Sequence, residues 1–341
     1  MGNLVTKRWL DLFFALSLSA TLPRVSAGAE QTGFPKPEKS HLEVAIAAWG
    51  STNLPLVVAH EAGYFARHGL NVSINQVSAS ASVQAVVSGK IDIYQGGAAA
   101  IAANLAGADI IYVAAAVDRS SLILFGQKGL TSFESLRGKS IATTSPGAFG
   151  EIAVRMTARK HGMEVGKDVK LLYHRSTPEA LATFLVGNAD GLIITPPQTE
   201  IAKKQGYPVI IDYYRDGLKI IGPGTAVTRE FSQKYPNALK AYLMAHLDGV
   251  KRAIEDEEFA KKIESKYTKI SDSKILDENY QQGARVWNKD MTVDSAAIRI
   301  VLEDSSDPKA KSADPKRFYD NSIIEAVNRD YGSKLFPGMV R

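Results

Sequence analysis

Two spacings of apolar residues alternate along the first two thirds of the chain. Residues 41–48 form a short, largely apolar run, whereas the next apolar positions, Leu54, Val57 and Val58, recur at helical spacing. Short apolar runs that alternate with helical segments are typical of a parallel sheet covered by helices. The same alternation continues to about residue 215. The predicted fold class is therefore α/β.

The pattern predicts strands at residues 41–48, 70–74, 91–94, 109–117, 122–125, 139–143, 169–173 and 209–212. It predicts helices at residues 54–62, 64–68, 151–161 and 196–206, and a short helix at 133–136. Thr52 or Asn53 can cap the first helix, and Pro55 suits its first turn.

Residues 78–102 are the stretch around which we expect the chain to be organised. Ser80 is predicted as the N-cap of a helix, and Gly89 suits the left-handed residue that ends one. A strand around Asp92 then runs into small residues, Gly97 among them. Val83, Val86 and Val87 are predicted as the apolar face of the helix. Two helix N-termini built from small residues would offer backbone N–H groups to a ligand.

The order of this stretch repeats about a hundred residues later. Aligning Gly89 with Gly187 places Asp92 on Asp190. One interpretation is two similar lobes that face a shared cleft. The other is that any two strand–helix units share this rhythm.

A composition change divides the remainder of the chain. Residues 120–215 complete one α/β unit, and residues 229–332 are mostly amphipathic helix. We predict a first lobe from residues 41–117 and 223–341, with a helical tail, and a second lobe from residues 118–222. The chain would cross twice between the lobes.

The N-terminus predicts export. A basic pair, Lys7 and Arg8, precedes a largely apolar run that ends near a small-residue cleavage pattern around Ala27. Residues 1–27 therefore read as a secretory signal peptide, followed by a leader over residues 28–40. The chain has no cysteine, which excludes a lipoprotein anchor, a disulfide and a zinc–thiolate site.

Composition narrows the function classes further. The net charge of +5 is small and dispersed, so we expect no nucleic-acid partner. Tyr64 stands where a zinc-protease helix after His60 and Glu61 needs its second histidine. No other pattern predicts a catalytic residue, a cofactor or a metal site.

Seven segments in order carry a resemblance to a known family. They begin with Pro55 to Phe65 (PLVVAHEAGYF) and continue with residues 69–72, 88–92, 136–139 and 145–147, Asp190 and residues 195–197. Together they resemble periplasmic substrate-binding proteins of ABC importers, of the nitrate, sulfonate and taurine type, which are related to thiamine-pyrimidine binding proteins. The resemblance covers roughly residues 42–330.

The resemblance implies a two-lobed periplasmic-binding-protein fold of type II that closes on a small ligand. Ligands in such folds lie at the carboxyl ends of strands, against helix N-termini. The implied ligand shell is Trp49, Ser51, Thr52, Ser78, Ser80, Ala81, Gly97, Ala98, Ser145, Gly147, Ala148, Phe149, Thr195 and Pro196. Trp49 would stack on the ligand or, alternatively, belong to the core. Arg119 would pair with an anionic ligand or form a hinge salt bridge to Asp118 or Asp216.

The resemblance also implies partners and a compartment. We expect a periplasmic monomer that delivers its ligand to an inner-membrane permease, without turnover. The ligand would be an anion such as a sulfonate, carboxylate or nitrate, or a neutral heterocycle stacked on Trp49 or Phe149. Two alternatives stay open: a sensor that docks on a receptor, and an enzyme with the same fold. The fungal pyrimidine synthase of this fold uses a cysteine-rich motif, which this chain lacks.

Overall fold

The computed structural model describes residues 35–338. The predicted signal peptide and the first part of the predicted leader lie outside these residues. The strands are β1 His41–Ile46, β2 Asn71–Gln76, β3 Ile93–Gly96, β4 Ile110–Ala115, β5 Ile123–Gly126, β6 Lys139–Thr143, β7 Val169–Tyr173, β8 Gly191–Ile194, β9 Val209–Asp212 and β10 Gly224–Thr228.

The helices of the α/β part are α1 Leu54–Glu61, α2 Tyr64–Arg67, α3 Ala79–Val87, α4 Ala99–Leu105, α5 Phe149–Lys160, α6 Thr177–Leu185 and α7 Gln198–Lys204. The C-terminal part contains α8 Arg229–Lys234, α9 Pro236–Glu255, α10 Glu257–Thr268, α11 Ser273–Ala284, α12 Ser295–Asp304, α13 Ser322–Val327 and α14 Ser333–Leu335. Short 3-10 segments lie at Glu134–Leu136, Pro308–Ser312 and Pro315–Phe318, and a π-helical turn at Asn328–Gly332.

The strands form two five-stranded sheets of the same layout. The first has the order β2-β1-β3-β10-β4 and the second the order β7-β6-β8-β5-β9. In each sheet the first three strands are parallel, and the fourth is antiparallel to both of its neighbours. The α/β prediction is confirmed, with a mixed rather than a purely parallel sheet. The division into two lobes with the boundaries given above stays a prediction.

A buried glutamine joins the first sheet to the long helix behind it. Gln95 on β3 is fully buried, and its Oε1 atom accepts hydrogen bonds from Thr225 on β10 at 2.8 Å and from Tyr242 on α9 at 3.2 Å. Its Nε2 atom donates to the carbonyl of Pro223 at 2.9 Å. Because each of these side-chain groups is paired, the polar cluster stabilises the place where the chain returns to the first sheet.

The internal repeat has a physical basis in two equivalent aspartates. Asp92 accepts the N–H of Glu43 at the start of β1 at 2.9 Å, and Asp190 accepts the N–H of Ser140 on β6 at 3.0 Å. A lysine lies beside each carboxylate, Lys39 at 2.6 Å from Asp92 and Lys139 at 3.4 Å from Asp190. Helices α3 and α6 have nine residues each, with Ser78 and Ser176 as their N-caps.

The predicted left-handed glycines are confirmed, since φ is 72° at Gly89 and 77° at Gly187. Two details of the prediction for α3 are wrong. Ser80 lies inside the first turn, and Ser78 is the N-cap, because the helix begins at Ala79 directly after the β2 loop. Val87 is 46% exposed, because the buried stripe of this short helix turns away from its last residue.

The C-terminal helices cover the first sheet and its first two helices. Helix α9 supplies a largely buried apolar face against α1 and α2. Gly249 permits this approach, since a Cβ there would lie 2.2 Å from the carbonyl oxygen of Pro55. A buried pair, His68 Nε2 and Asp248 Oδ2 at 2.7 Å, fixes the end of α2 to α9. In the described part of the chain no helix is long and apolar enough to cross a membrane.

The two crossings lie side by side and are joined by an ion pair. Lys219 on the second crossing lies 2.9 Å from Asp118 on the first and 3.5 Å from Asp294. The sequence predicts that Arg119 pairs with an anionic ligand or with Asp118 or Asp216; its guanidinium lies over the ring of Tyr214, 5.9 Å from the centroid. Asp118 therefore pairs with a lysine that the sequence pattern did not indicate.

The repeat predicts unequal losses of stability at its two aspartates. Asp92→Ala leaves the N–H of Glu43 without its acceptor, and we expect a loss of about 1–3 kcal/mol in the free energy of unfolding. Asp190→Ala should cost less, because the side chain of Asp190 is 38% exposed against 9% for Asp92. Urea denaturation of both variants measures the two losses in the free energy of unfolding, and Glu303→Ala at an exposed position is the control. Equal or inverted losses would contradict the assignment.

Candidate ligand-binding site

The predicted site residues lie at one edge of each sheet. Strands β1, β2 and β3 are parallel, as are β6, β7 and β8, so their carboxyl ends meet at a common edge. The loops that follow these ends carry all fourteen candidates or lead directly to them. Ser78, Ser80, Ala81, Ser145 and Gly147 are exposed, Trp49, Thr52, Gly97, Ala98, Ala148, Phe149 and Thr195 are half-buried, and Ser51 and Pro196 are buried.

One contact brings candidates from the two sheets together. A Cβ at Gly97, after β3, would lie 3.1 Å from the ring of Phe149, the first residue of α5, and 3.5 Å from the carbonyl oxygen of Ile221. The hydroxyl of Tyr112 donates to the carbonyl of Gly97. The ring of Phe149 therefore packs on a backbone that has no side chain to keep it away, beside the second crossing.

The loop before α5 uses its own donors. The N–H of Gly147 donates to Glu151 at 2.8 Å, and the N–H of Ala148 donates to the carbonyl of Ser145 at 3.2 Å. The N–H groups of Gly147 and Ala148 therefore have partners within the loop in this conformation. Burial opposes ionisation of Glu151, but the bonds from Gly147 and Arg155 outweigh it and lower the pKa of Glu151.

The loop after β1 faces the C-terminal helices. The ring of Trp49 lies 4.6 Å from that of Tyr267 on α10, between centroids. Ser51 is 3% exposed, and its carbonyl accepts the indole N–H of Trp287 at 2.8 Å. A Cβ at Gly283 on α11 would lie 2.8 Å from the Cβ of Ser51. Trp49 and Ser51 therefore have extensive protein partners, which favours the packing alternative for Trp49.

Helix α11 contributes contacts that the sequence analysis missed. The Nε2 atom of Gln282 donates to Glu200 on α7 at 3.3 Å. The guanidinium of Arg285 lies 3.5 Å from Asp212 and 4.5 Å from the ring centroid of Tyr214. Glu278, Gln282 and Arg285 recur at i, i+4 and i+7, which is the signal of a single polar helix face.

This polar face meets the second half of the chain next to two candidates, since α7 follows the loop of Thr195 and Pro196. The peptide between Pro196 and Pro197 is cis, and α7 begins at Gln198 rather than at the predicted residue 196. Thr199 and Glu200, in the first turn of α7, are both buried. No group of three or more metal-ligating side chains lies together within residues 35–338.

The carboxyl groups of Glu278 on α11 and Glu200 on α7 interact with each other. Burial and then the charge of Glu200 raise the pKa of Glu278, while Lys203 and Lys204 on α7 lower it. The contact between α7 and α11 is therefore sensitive to pH.

Comparisons with known proteins agree with this architecture. The sequence profile of the NMT1-like family matches residues 35–265. This is more than half of the chain, so the chain belongs to the NMT1-like family. The comparison with curated proteins finds no match.

Solved structures share the fold. A protein from Bordetella bronchiseptica RB50 is 21% identical, covering 87% of this chain and 99% of its own, with a TM-score of 0.73. The periplasmic aliphatic sulphonate binding protein SsuA from Escherichia coli is 18% identical, over 78% and 85% of the chains, with a TM-score of 0.65. The periplasmic nitrate-binding protein NrtA from Synechocystis PCC 6803 is 16% identical, over 89% and 92%, with a TM-score of 0.68. The predicted fold and the predicted family resemblance are confirmed.

The Gly97–Phe149 contact predicts a coupled effect on stability. Gly97→Ala should cost about 1 kcal/mol, because the half-buried ring of Phe149, 3.1 Å from the new methyl group, must shift by a small amount. The same substitution should cost clearly less in a Phe149→Ala background, where that ring is absent. A double-mutant cycle by denaturant unfolding measures the coupling. Additive losses would mean that Phe149 does not pack on residue 97.

The Glu278–Glu200 contact predicts a pH dependence. Because the pKa of Glu278 is raised in the folded state above its ordinary value of 4.5, its stabilising contribution is full below that value. The contribution is lost as pH rises through the raised pKa. Glu278→Gln keeps a donor toward Glu200, so this part of the pH dependence of the melting temperature should disappear. Exposed Glu303→Gln is the control, and a profile unchanged by Glu278→Gln would contradict a raised pKa of Glu278.

Proposed function

We propose that this protein is the extracytoplasmic solute-binding component of an ABC importer, which captures a small molecule and delivers it to a membrane permease. Family membership and the shared fold support this class of function. The observation that carries it is the contact of Phe149 with Gly97. This contact joins loops at the carboxyl ends of strands from both sheets, where a ligand that bridges the two lobes would bind.

The mechanism is binding without turnover. The lobes formed by residues 41–117 with 223–341 and by residues 118–222 would move about the two crossings near Asp118 and Lys219. A ligand that contacts both lobes stabilises the closed form in proportion to its differential affinity for that form. The closed monomer would then dock on the permease of the inner membrane.

The ligand shell follows the strand-end loops. Ser78, Ser80 and Ala81 at the start of α3, Gly97 and Ala98 before α4, Ser145 with the loop into α5, and Thr195 would contact the ligand. Ser51, Pro196 and Trp49 would support these loops, given their burial and packing. Relatives of this fold are described as binding a sulphonate or nitrate, so a small anion is the first ligand class to test. A heterocycle stacked on Phe149 is the second.

The compartment follows from the same proposal. Residues 1–27 would direct export and be removed, which leaves the mature chain in the periplasm. Edman sequencing or intact-mass analysis of the exported protein identifies the cleavage site.

Ligand capture predicts stabilisation and compaction. A ligand at about one hundred times its Kd should stabilise the protein by about 2.7 kcal/mol and reduce the radius of gyration in small-angle scattering. The ligands to test are a panel of sulfonates, nitrate, carboxylates and aminopyrimidines. Mass spectrometry of molecules that co-purify with the protein identifies further ligands. If none of these ligands changes the stability or the radius of gyration, the proposal is contradicted.

Variants locate the ligand within the protein. Ser80→Phe and Ser145→Phe add bulk at exposed positions in the proposed shell, so they should abolish the ligand-induced rise in melting temperature. Ser88→Phe is a matched control, because Ser88 is also exposed but lies at the opposite end of α3. If all three variants bind normally, the ligand lies elsewhere.

A further inference from the structure

A small cavity lies between the loop after β1 and helix α10. It measures about 190 Å³ including the part open to solvent, and it has room for about one water-sized molecule. Its apolar wall is formed by Leu54 and Val57 of α1 and Ile263 of α10. Its remaining wall includes two aromatic residues and one glutamate.

The carboxyl group belongs to Glu264, which is 2% exposed. Neither of its two oxygen atoms has a hydrogen-bond partner among residues 35–338. A buried carboxylate without a donor is costly, so a side chain of this kind needs either a proton or a bound donor. Burial raises the pKa of Glu264 to about 7, which means that the proton is readily lost near neutral pH.

Two potential donors that follow Glu264 in the sequence, Lys266 and Tyr267, bond to Glu61 instead. Lys266, on the same helix, lies 2.8 Å from Glu61 of α1. Tyr267 donates its hydroxyl to the same carboxylate of Glu61 at 2.5 Å, and the Nζ atom of Lys266 lies 5.4 Å from the centroid of its ring, so the ring of Tyr267 already has a cation beside it.

The two aromatic rings are those of Trp49 and Tyr267. Their centroids lie 4.6 Å apart and their planes meet at 47°, so they form an angled wall. Aromatic faces attract cations, most strongly where water is excluded. A hard metal cation is a poor fit, because it prefers several oxygen ligands and this wall offers one carboxylate. A small cation that donates N–H bonds matches the carboxylate, the ring of Trp49 and the volume together.

We propose that this cavity binds one ammonium ion between the carboxylate of Glu264 and the ring of Trp49. The ion would join α10 to the loop after β1, which also carries Ser51 and Thr52. The site does not depend on the proposed transport function, and it is separate from the strand-end loops assigned to the transported ligand.

The test is thermal unfolding of the whole chain in ammonium chloride, potassium chloride and sodium chloride at equal ionic strength. At about pH 8, where Glu264 is ionised, ammonium should raise the melting temperature by a few degrees with saturation, and the metal ions should not. At about pH 5 the effect should vanish, because the protonated carboxyl cannot balance the cation. A bound ¹⁵N-ammonium resonance in slow exchange gives a direct readout.

Variants separate the site from a general salt effect. Glu264→Gln keeps the size of the side chain but removes the charge, so it should abolish both the ammonium response and the bound resonance. Glu258→Gln on the same helix is the control, because its side chain is 85% exposed. Tyr267→Phe keeps the ring face and should keep the response. An equal response to potassium, an ammonium response that persists in Glu264→Gln, or no response at all would overturn the proposal.

Discussion

The return of the chain to the first sheet is the constraint on which the rest of the structure depends. Strand β10 enters antiparallel between β3 and β4, and Gly224 lets it approach the ring of Tyr112, to which a Cβ would come within 2.7 Å. Buried Gln95 then bonds β10 and α9 at once. These bonds hold β10, the residue before it and helix α9 in place against the first sheet.

Small residues and large ones have complementary tasks at the strand ends. Gly97 has no side chain, so Phe149 and the carbonyl of Ile221 can approach its backbone from the other half of the chain. In the first turn of α5, the carboxylate of Glu151 accepts the N–H of Gly147, so this N–H group is not free. The proposed capture of a ligand in this region would have to rearrange such internal bonds, which is a natural way to couple binding to closure.

Much of the fold could be predicted because local pattern and global fold agree. Strands β6, β7 and β9 have the predicted bounds, and the repeat of residues 78–92 at 176–190 corresponds to equivalent helices and equivalent aspartates. The site was harder to predict. Trp49 and Ser51 follow a strand end as expected, but Tyr267, Gly283 and Trp287 pack against them from more than two hundred residues away. Spacing along the chain carries no information about such partners.

The sequence by itself determined the α/β class, the two similar halves, the helical C-terminal part and the family resemblance, because these follow from periodicity, glycine positions and motif order. Only the tertiary structure decided which cation pairs with Asp118, which N–H groups in the loop before α5 have partners, and which elements α11 contacts. Lys219 rather than Arg119 lies beside Asp118, and Gln282 and Arg285 contact α7 and β9. The physical reason is that hydrogen bonds and ion pairs act over a few ångströms in space, and distant segments meet only when the whole chain has folded.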